Sequence, residues 1–181
     1  MQLIRDTKLG IKLALAFLVV VAVFVAVAAY QLQGFKALGA LQDDGAQRFK
    51  DAEEVLHIAY RVKDLYVLTG NAVIGGGVKQ SVDRFPDFKA QAEKDMARVK
   101  ELARTEDERK LAEGFATAYT AYLGMVEKKL LPYLNEGGRD MGEIRSLDAR
   151  VEAFRGASVK PLESMVESIE KNSLQDDERF D

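Results

Sequence analysis

The chain has 181 residues, no cysteine and a formal net charge of -3. The missing thiols exclude disulfides, thiolate metal centres and covalent haem attachment, and the acidic balance argues against nucleic acid as a partner. Helix formers dominate after Tyr30 and no strand-like alternation of Val, Ile and Thr appears, so the predicted fold class is all-α.

Residues 1–12 carry Arg5, Lys8 and Lys12 against Asp6, and Leu13 to Ala29 is a run of seventeen apolar residues. With Leu9, Ile11, Tyr30 and Leu32 at its ends, the run reaches the roughly 20 residues that a helix needs to cross a bilayer at about 1.5 Å per residue. A transmembrane helix is therefore expected over residues 13–32. Ala26-x-Ala28 has the form of a signal cleavage site, but the run exceeds the roughly 7–15 residues of a cleaved signal, so an uncleaved anchor is predicted. Positive charge ahead of the run and none behind it until Lys36 puts residues 1–12 in the cytoplasm and residues 33–181 outside.

Apolar residues then recur at three- and four-residue steps through Leu38, Leu41, Phe49, Ala52, Val55, Leu56, Ala59, Val62 and Tyr66. The pattern predicts a helix over about 33–69, continuous with the anchor and stopped by Gly70-Asn71 and Gly75-Gly76-Gly77. A second helix is expected over about 82–104 with the stripe Phe85, Phe88, Ala92, Met96, Val99 and Leu102, and with Pro86 in its first turn, where a missing N–H is tolerated. Thr105-Glu106-Asp107-Glu108 has the spacing of a capping box and opens a third helix over 106–135 through Leu111, Phe115, Ala118, Tyr122, Met125 and Leu130. Pro132 falls in its last turns, where it frays or tightens them. The fourth helix, 140–174, carries Ile144, Leu147, Val151, Phe154, Ser158, Leu162, Met165 and Ile169, with a bend expected at Pro161 and a frayed tail from Gln175. Four amphipathic helices with short connections predict a transmembrane helix continuing into an antiparallel up-down four-helix bundle.

In its opening Ile4-Arg5-Asp6-Thr7-Lys8-Leu9-Gly10-Ile11-Lys12-Leu13, the anchor behind it and the outer bundle, the chain resembles the N-terminal sensory part of a bacterial methyl-accepting chemotaxis protein of the four-helix-bundle type. The resemblance implies a periplasmic homodimer held in the inner membrane. It implies a small-molecule ligand, or a periplasmic binding protein, near the dimer interface, and a signal carried by movement of the last helix. It also implies a second span, a HAMP module and a kinase-controlling hairpin after Asp181, so the chain is expected to be a fragment. The same architecture serves the sensor domain of a membrane histidine kinase or cyclic-dinucleotide enzyme, and a single-pass structural or adaptor bundle; these are the alternatives.

Family members that sense amino or organic acids grip carboxylates with arginines on the first and last outer helices, where bidentate guanidinium geometry suits the task. The resemblance therefore makes Arg61, Lys63, Arg150 and Arg155 candidate ligand contacts, Arg61 first, with Tyr60 beside them; Tyr66, Tyr119 and Tyr122 are further pocket candidates. Weighed against this, a basic residue on a helix more often serves a solvated face or a salt bridge, and tyrosines at helical spacing more often belong to a core. His57 is the sole histidine, which denies one chain a ferritin-like di-iron site, and with one histidine and no cysteine no Ser/His/Asp or Cys/His nucleophile arrangement is expected. It reads as a polar helix position, with haem ligation in a dimer or pH sensing as minor alternatives. No catalytic residue, metal or cofactor is expected, and the chain is predicted to be non-enzymatic.

Overall fold

In the computed structural model residues 9–74 and 76–178 are described, and every regular element among them is helical. Helix α1 spans Leu9–Ile74, α2 Val78–Leu102 and α3 Glu106–Met125; a single π-helical turn, Val126–Leu130, joins α3 to α4, Leu131–Asn135, and α5 spans Met141–Glu178. The chain divides into two compact units, Met1–Gly45 and Ala46–Asp181. The family-like opening from Ile4 to Lys8, Gly75 and the last residues from Arg179 lie outside the described residues.

In the first unit the apolar side chains of residues 13–32 are exposed. Phe17 and Phe24 are 70% and 71% exposed, and the most apolar window of α1 is wholly unburied. This helix is long and apolar enough to cross a membrane.

The second unit is a helical bundle around one core. Val55, Ile58, Val62 and Leu65 come from α1, Ala92 and Val99 from α2, Phe115, Tyr119 and Tyr122 from α3, and Val151, Leu162, Met165 and Ile169 from α5; all are essentially sealed from solvent. Burying each large apolar side chain contributes on the order of 1.5–3 kcal/mol, which sets this face rather than helix propensity as the source of stability. The helices are tied by pairs distant in sequence. Glu54 meets Arg98, Asp95 meets Arg61 and the Ser81 hydroxyl donates to the Leu68 carbonyl between α1 and α2. Lys89 meets Glu127 and the Thr120 hydroxyl donates to the Met96 sulfur between α2 and the α3 segment. Glu163 faces Lys63 and Arg155 lies over the Tyr66 ring between α5 and α1.

Local chemistry explains the boundaries. The capping box forms as predicted: the Thr105 hydroxyl accepts from the Glu108 N–H, and the Glu108 carboxylate accepts from the Thr105 N–H, both at 3.2 Å. At the start of α5 the Asp140 carboxylate accepts from the Glu143 N–H at 2.8 Å. The turn before it needs two glycines. Gly137 sits at φ +83°, and Gly138 lies against the Tyr133 ring so closely that a Cβ there would be 2.5 Å from it.

Three boundaries differ from the sequence expectation, for identifiable reasons. Helix α1 runs past Thr69 to Ile74 because Ala72 is buried at its end, which offsets the cost of Gly70 in a helix; the reversal comes at Gly76, φ +67°. Helix α2 starts at Val78, so Pro86 lies inside it and not in its first turn. Helix α5 continues through Pro161 and on to Glu178. The predicted α1 stripe also proves to be two faces: Ala52, Val55, Ala59 and Val62 are buried, whereas Phe49 and Leu56 are 50% and 37% exposed.

Candidate ligand-binding surface

The basic candidates separate onto different faces of the second unit. Arg61 is engaged with α2: its Nε and Nη2 grip Asp95 at 2.7–3.1 Å, and Asp95 is buried and also accepts from Gln91. A carboxylate removed from water needs such a partner, and this bond to Asp95 raises the Arg61 pKa. The guanidinium that the sequence put first for ligand contact thus holds a carboxylate of its own chain.

Lys63 and Arg155 face the seam between α1 and α5. The Lys63 ammonium lies 5.4 Å from the centroid of the Tyr60 ring and only 3.9 Å from the Glu163 carboxylate, a loose pair that leaves its donors open. Tyr60 is half exposed. Arg155 lies 5.1 Å over the Tyr66 ring and is paired in the same helix with Glu152. That pair raises the Arg155 pKa and lowers that of Glu152. A cation over an aromatic face is attracted by the ring quadrupole, so along the α1–α5 seam each of these two cations lies both over a ring and beside a carboxylate. Arg150 is exposed on α5 and makes no ion pair among the described residues. His57 is exposed as well, 3.8 Å from Glu53, and no group of three or more potential metal ligands occurs among the described residues.

Of the four candidate tyrosines, Tyr119 and Tyr122 belong to the core. Tyr119 stacks on Phe115 at 5.3 Å between centroids. Burial drives both phenols well above their ordinary pKa. The Tyr122 hydroxyl is sealed in without a formed hydrogen bond, next to the Thr69 hydroxyl, which itself donates to the Tyr66 carbonyl.

Two features go beyond the candidates read from the sequence. The first is a buried polar knot. Arg48 donates to the Glu108 carboxylate and, at 3.2 Å, to the Leu102 carbonyl, while Glu108 also accepts from the Arg104 N–H and from the Asn172 amide. Asp51 lies beside it, 3.5 Å from Arg48 and 3.1 Å from Arg104. The second is a cleft of about 280 Å³ between α2 and the π-turn with α4, floored by Phe85 and Leu131 and edged by Pro86, Pro132 and Glu136. The signal for the cleft was present as two prolines inside neighbouring helices, Pro86 and Pro132.

No protein family, characterised protein or solved structure matches the chain.

Proposed function

We propose that this chain is the ligand-sensing part of a transmembrane chemoreceptor, an antiparallel up-down bundle held outside the cytoplasm by the apolar segment of α1. The observation that carries the reading is one uninterrupted helix, Leu9–Ile74, with a wholly unburied apolar run near one end and the core residues Val55 to Leu65 near the other. Packed helices shift between discrete arrangements by an ångström or two, and a shift of α1 within the core is the signal this reading calls for. The up-down order is supported by contact pairs whose numbers run in opposite directions: 54 with 98, 61 with 95 and 68 with 81 between α1 and α2.

The second copy in a homodimer would meet α1. Phe49, Leu56, Tyr60, Val67 and Ile74 are exposed on it at steps of seven, four, seven and seven residues, the spacing of a coiled-coil seam. Lys63 and Tyr60 lie on that side, so a ligand at the interface would find a cation whose own partner is loose. Arg155 and the exposed Arg150 on α5 would supply further charge, while Arg61 would act through Asp95 and not on the ligand. The ligand class this chemistry favours is a small organic or amino acid, bound without catalysis. A binding protein as the primary partner, and a kinase or cyclic-dinucleotide output, are the rival forms of the same reading.

The experiment is a thermal-shift panel of amino acids and dicarboxylates on the full chain in detergent. At 100 times its dissociation constant a ligand adds about 2.7 kcal/mol of stability. The reading expects a shift with at least one acid that Lys63→Ala together with Arg155→Ala abolishes. A shift that survives both substitutions rejects the site, and a panel without any shift rejects direct sensing of acids.

A further inference from the structure

The cleft at the π-turn is lined by α2, the π-turn and α4, away from the α1–α5 seam. We propose that it takes a small organic ammonium: an N–H-bearing cation attached to an apolar group about the size of a phenyl ring.

Its walls are apolar. Phe85 and Leu131 are 4% and 5% exposed, and Val82, Pro86 and Pro132 complete the sides. The ionisable residues lining it are both carboxylates, Glu127 and Glu136, with Asn135 as the remaining polar group. Glu127 is shared with Lys89, whose ammonium stands 2.9 Å and 3.0 Å from its two oxygens. Glu136 makes no ion pair among the described residues.

The backbone adds acceptors on the same side. In an α-helix the N–H at position 86 would serve the carbonyl of Val82, and proline has none. The carbonyl that loses its donor thus belongs to Val82, which lines the cleft together with Pro86. On the opposite wall the Leu131 N–H bonds to the Val126 carbonyl, five residues back. The next bond in that register would run from residue 132 to the carbonyl of Glu127, and again proline cannot make it. Two prolines in facing helices thus each withdraw a donor from a residue that edges the cleft. The site is rich in acceptors and poor in donors, which is the complement of an ammonium. A carboxylate or phosphate would meet the charge of Glu136, unpaired among the described residues, while Glu127 is already held by Lys89. At about 280 Å³ the cleft falls just below the roughly 300–1,000 Å³ of ligand pockets, so a single ring with a short amine arm fits it better than a peptide. π-Turns of one turn are frequent at functional sites, and here the turn sets both Glu127 and Leu131 against α2.

The test is titration of the full chain in nanodiscs with 2-phenylethylamine, 2-phenylethanol and 3-phenylpropionate, read by calorimetry. Saturable binding of the amine is expected, at least tenfold tighter than either analogue. Glu127→Gln with Glu136→Gln should weaken it about tenfold, the effect of losing charged partners. Val82→Trp, at a position already 36% exposed and so without a core to disturb, should fill the mouth and abolish it. No saturable heat with the amine at millimolar concentration, equal binding of the carboxylate, or amine binding untouched by these variants each overturn the proposal. Probes and variants differ from those of the α1–α5 seam, so failure here leaves the sensor reading standing, and the converse holds.

Discussion

Replacing Glu108 by Gln removes its negative charge from the polar knot while keeping its volume. Arg48 is 5% exposed and Glu108 not at all, so the guanidinium would be left with Asp51 at 3.5 Å as its one anionic neighbour. Breaking a buried pair from one side costs about 3–5 kcal/mol. Asp51 and the amide oxygen of the new Gln offset part of that, which brings the expected cost to about 2–3 kcal/mol, the range for a hydrogen bond to a charged group. Arg48→Met alone should cost a similar amount by stranding Glu108, whose backbone donors at Arg104 and Thr105 retain some of its solvation. The double variant Arg48→Met with Glu108→Gln should be less destabilised than the sum of the singles by at least about 1 kcal/mol, the coupling expected of residues in one network. Urea unfolding of the full chain in detergent, followed by far-ultraviolet circular dichroism, gives the three values. Strict additivity, or singles costing under about 0.5 kcal/mol, would refute the claim that this pair is bonded and dry.

Gly138→Ala should cost about 1–3 kcal/mol, because its Cβ would meet the Tyr133 ring at 2.5 Å; Tyr133→Ala in the same background should recover part of the loss in the same melts. Acid should weaken the fold through Glu54 and Glu152, whose carboxyls are held below their ordinary 4.5 by Arg98 and Arg155. A depressed folded-state value means that this stabilisation is present above about pH 4.5 and disappears as pH falls through the lower folded values. Both groups are well exposed, so each is worth about 0.5 kcal/mol or less, and 1 M salt should shrink the acid slope in melts from pH 6 to 3. Cysteine at Leu56 or Val67 should give oxidised dimers in membranes, whereas cysteine at the buried Ala112 should not; cross-linking gels decide between them.

Periodicity made the helices and most of their buried faces legible. Val151, Leu162, Met165 and Ile169 were readable as a core face, and the Thr105 cap was readable from four residues. What periodicity could not resolve was a helix with two apolar faces. On α1 the exposed Phe49 and Leu56 and the buried Val55 and Ala59 alternate at the same helical steps. Asp95 was a legible anomaly, since it falls among Ala92, Met96 and Val99, and a buried carboxylate requires a cation. Its partner Arg61 is 34 residues away in sequence, a pairing that no local pattern encodes. The same holds for Arg48 and Glu108, 60 residues apart. The candidate site was legible as residue types and not as an arrangement, because a cation on a helix surface reads alike whether it is bound to a carboxylate, as Arg61 is, or loosely held over a ring, as Lys63 is. The cleft depends on a π-turn just ahead of Pro132, where the sequence led to frayed or tightened turns and not to a widened one.

The account turns on the apolar run of α1 lying in a bilayer with the bundle outside. The absence of native cysteine makes the direct measurement clean: a single cysteine at Glu136 in the full chain, exposed to a membrane-impermeant maleimide on intact cells of a two-membrane bacterium with a permeabilised outer membrane. Labelling before lysis of the inner membrane, of protein that stays with the membrane through a high-salt wash, is the predicted result; labelling only after lysis, or recovery of the chain in the soluble fraction, contradicts it.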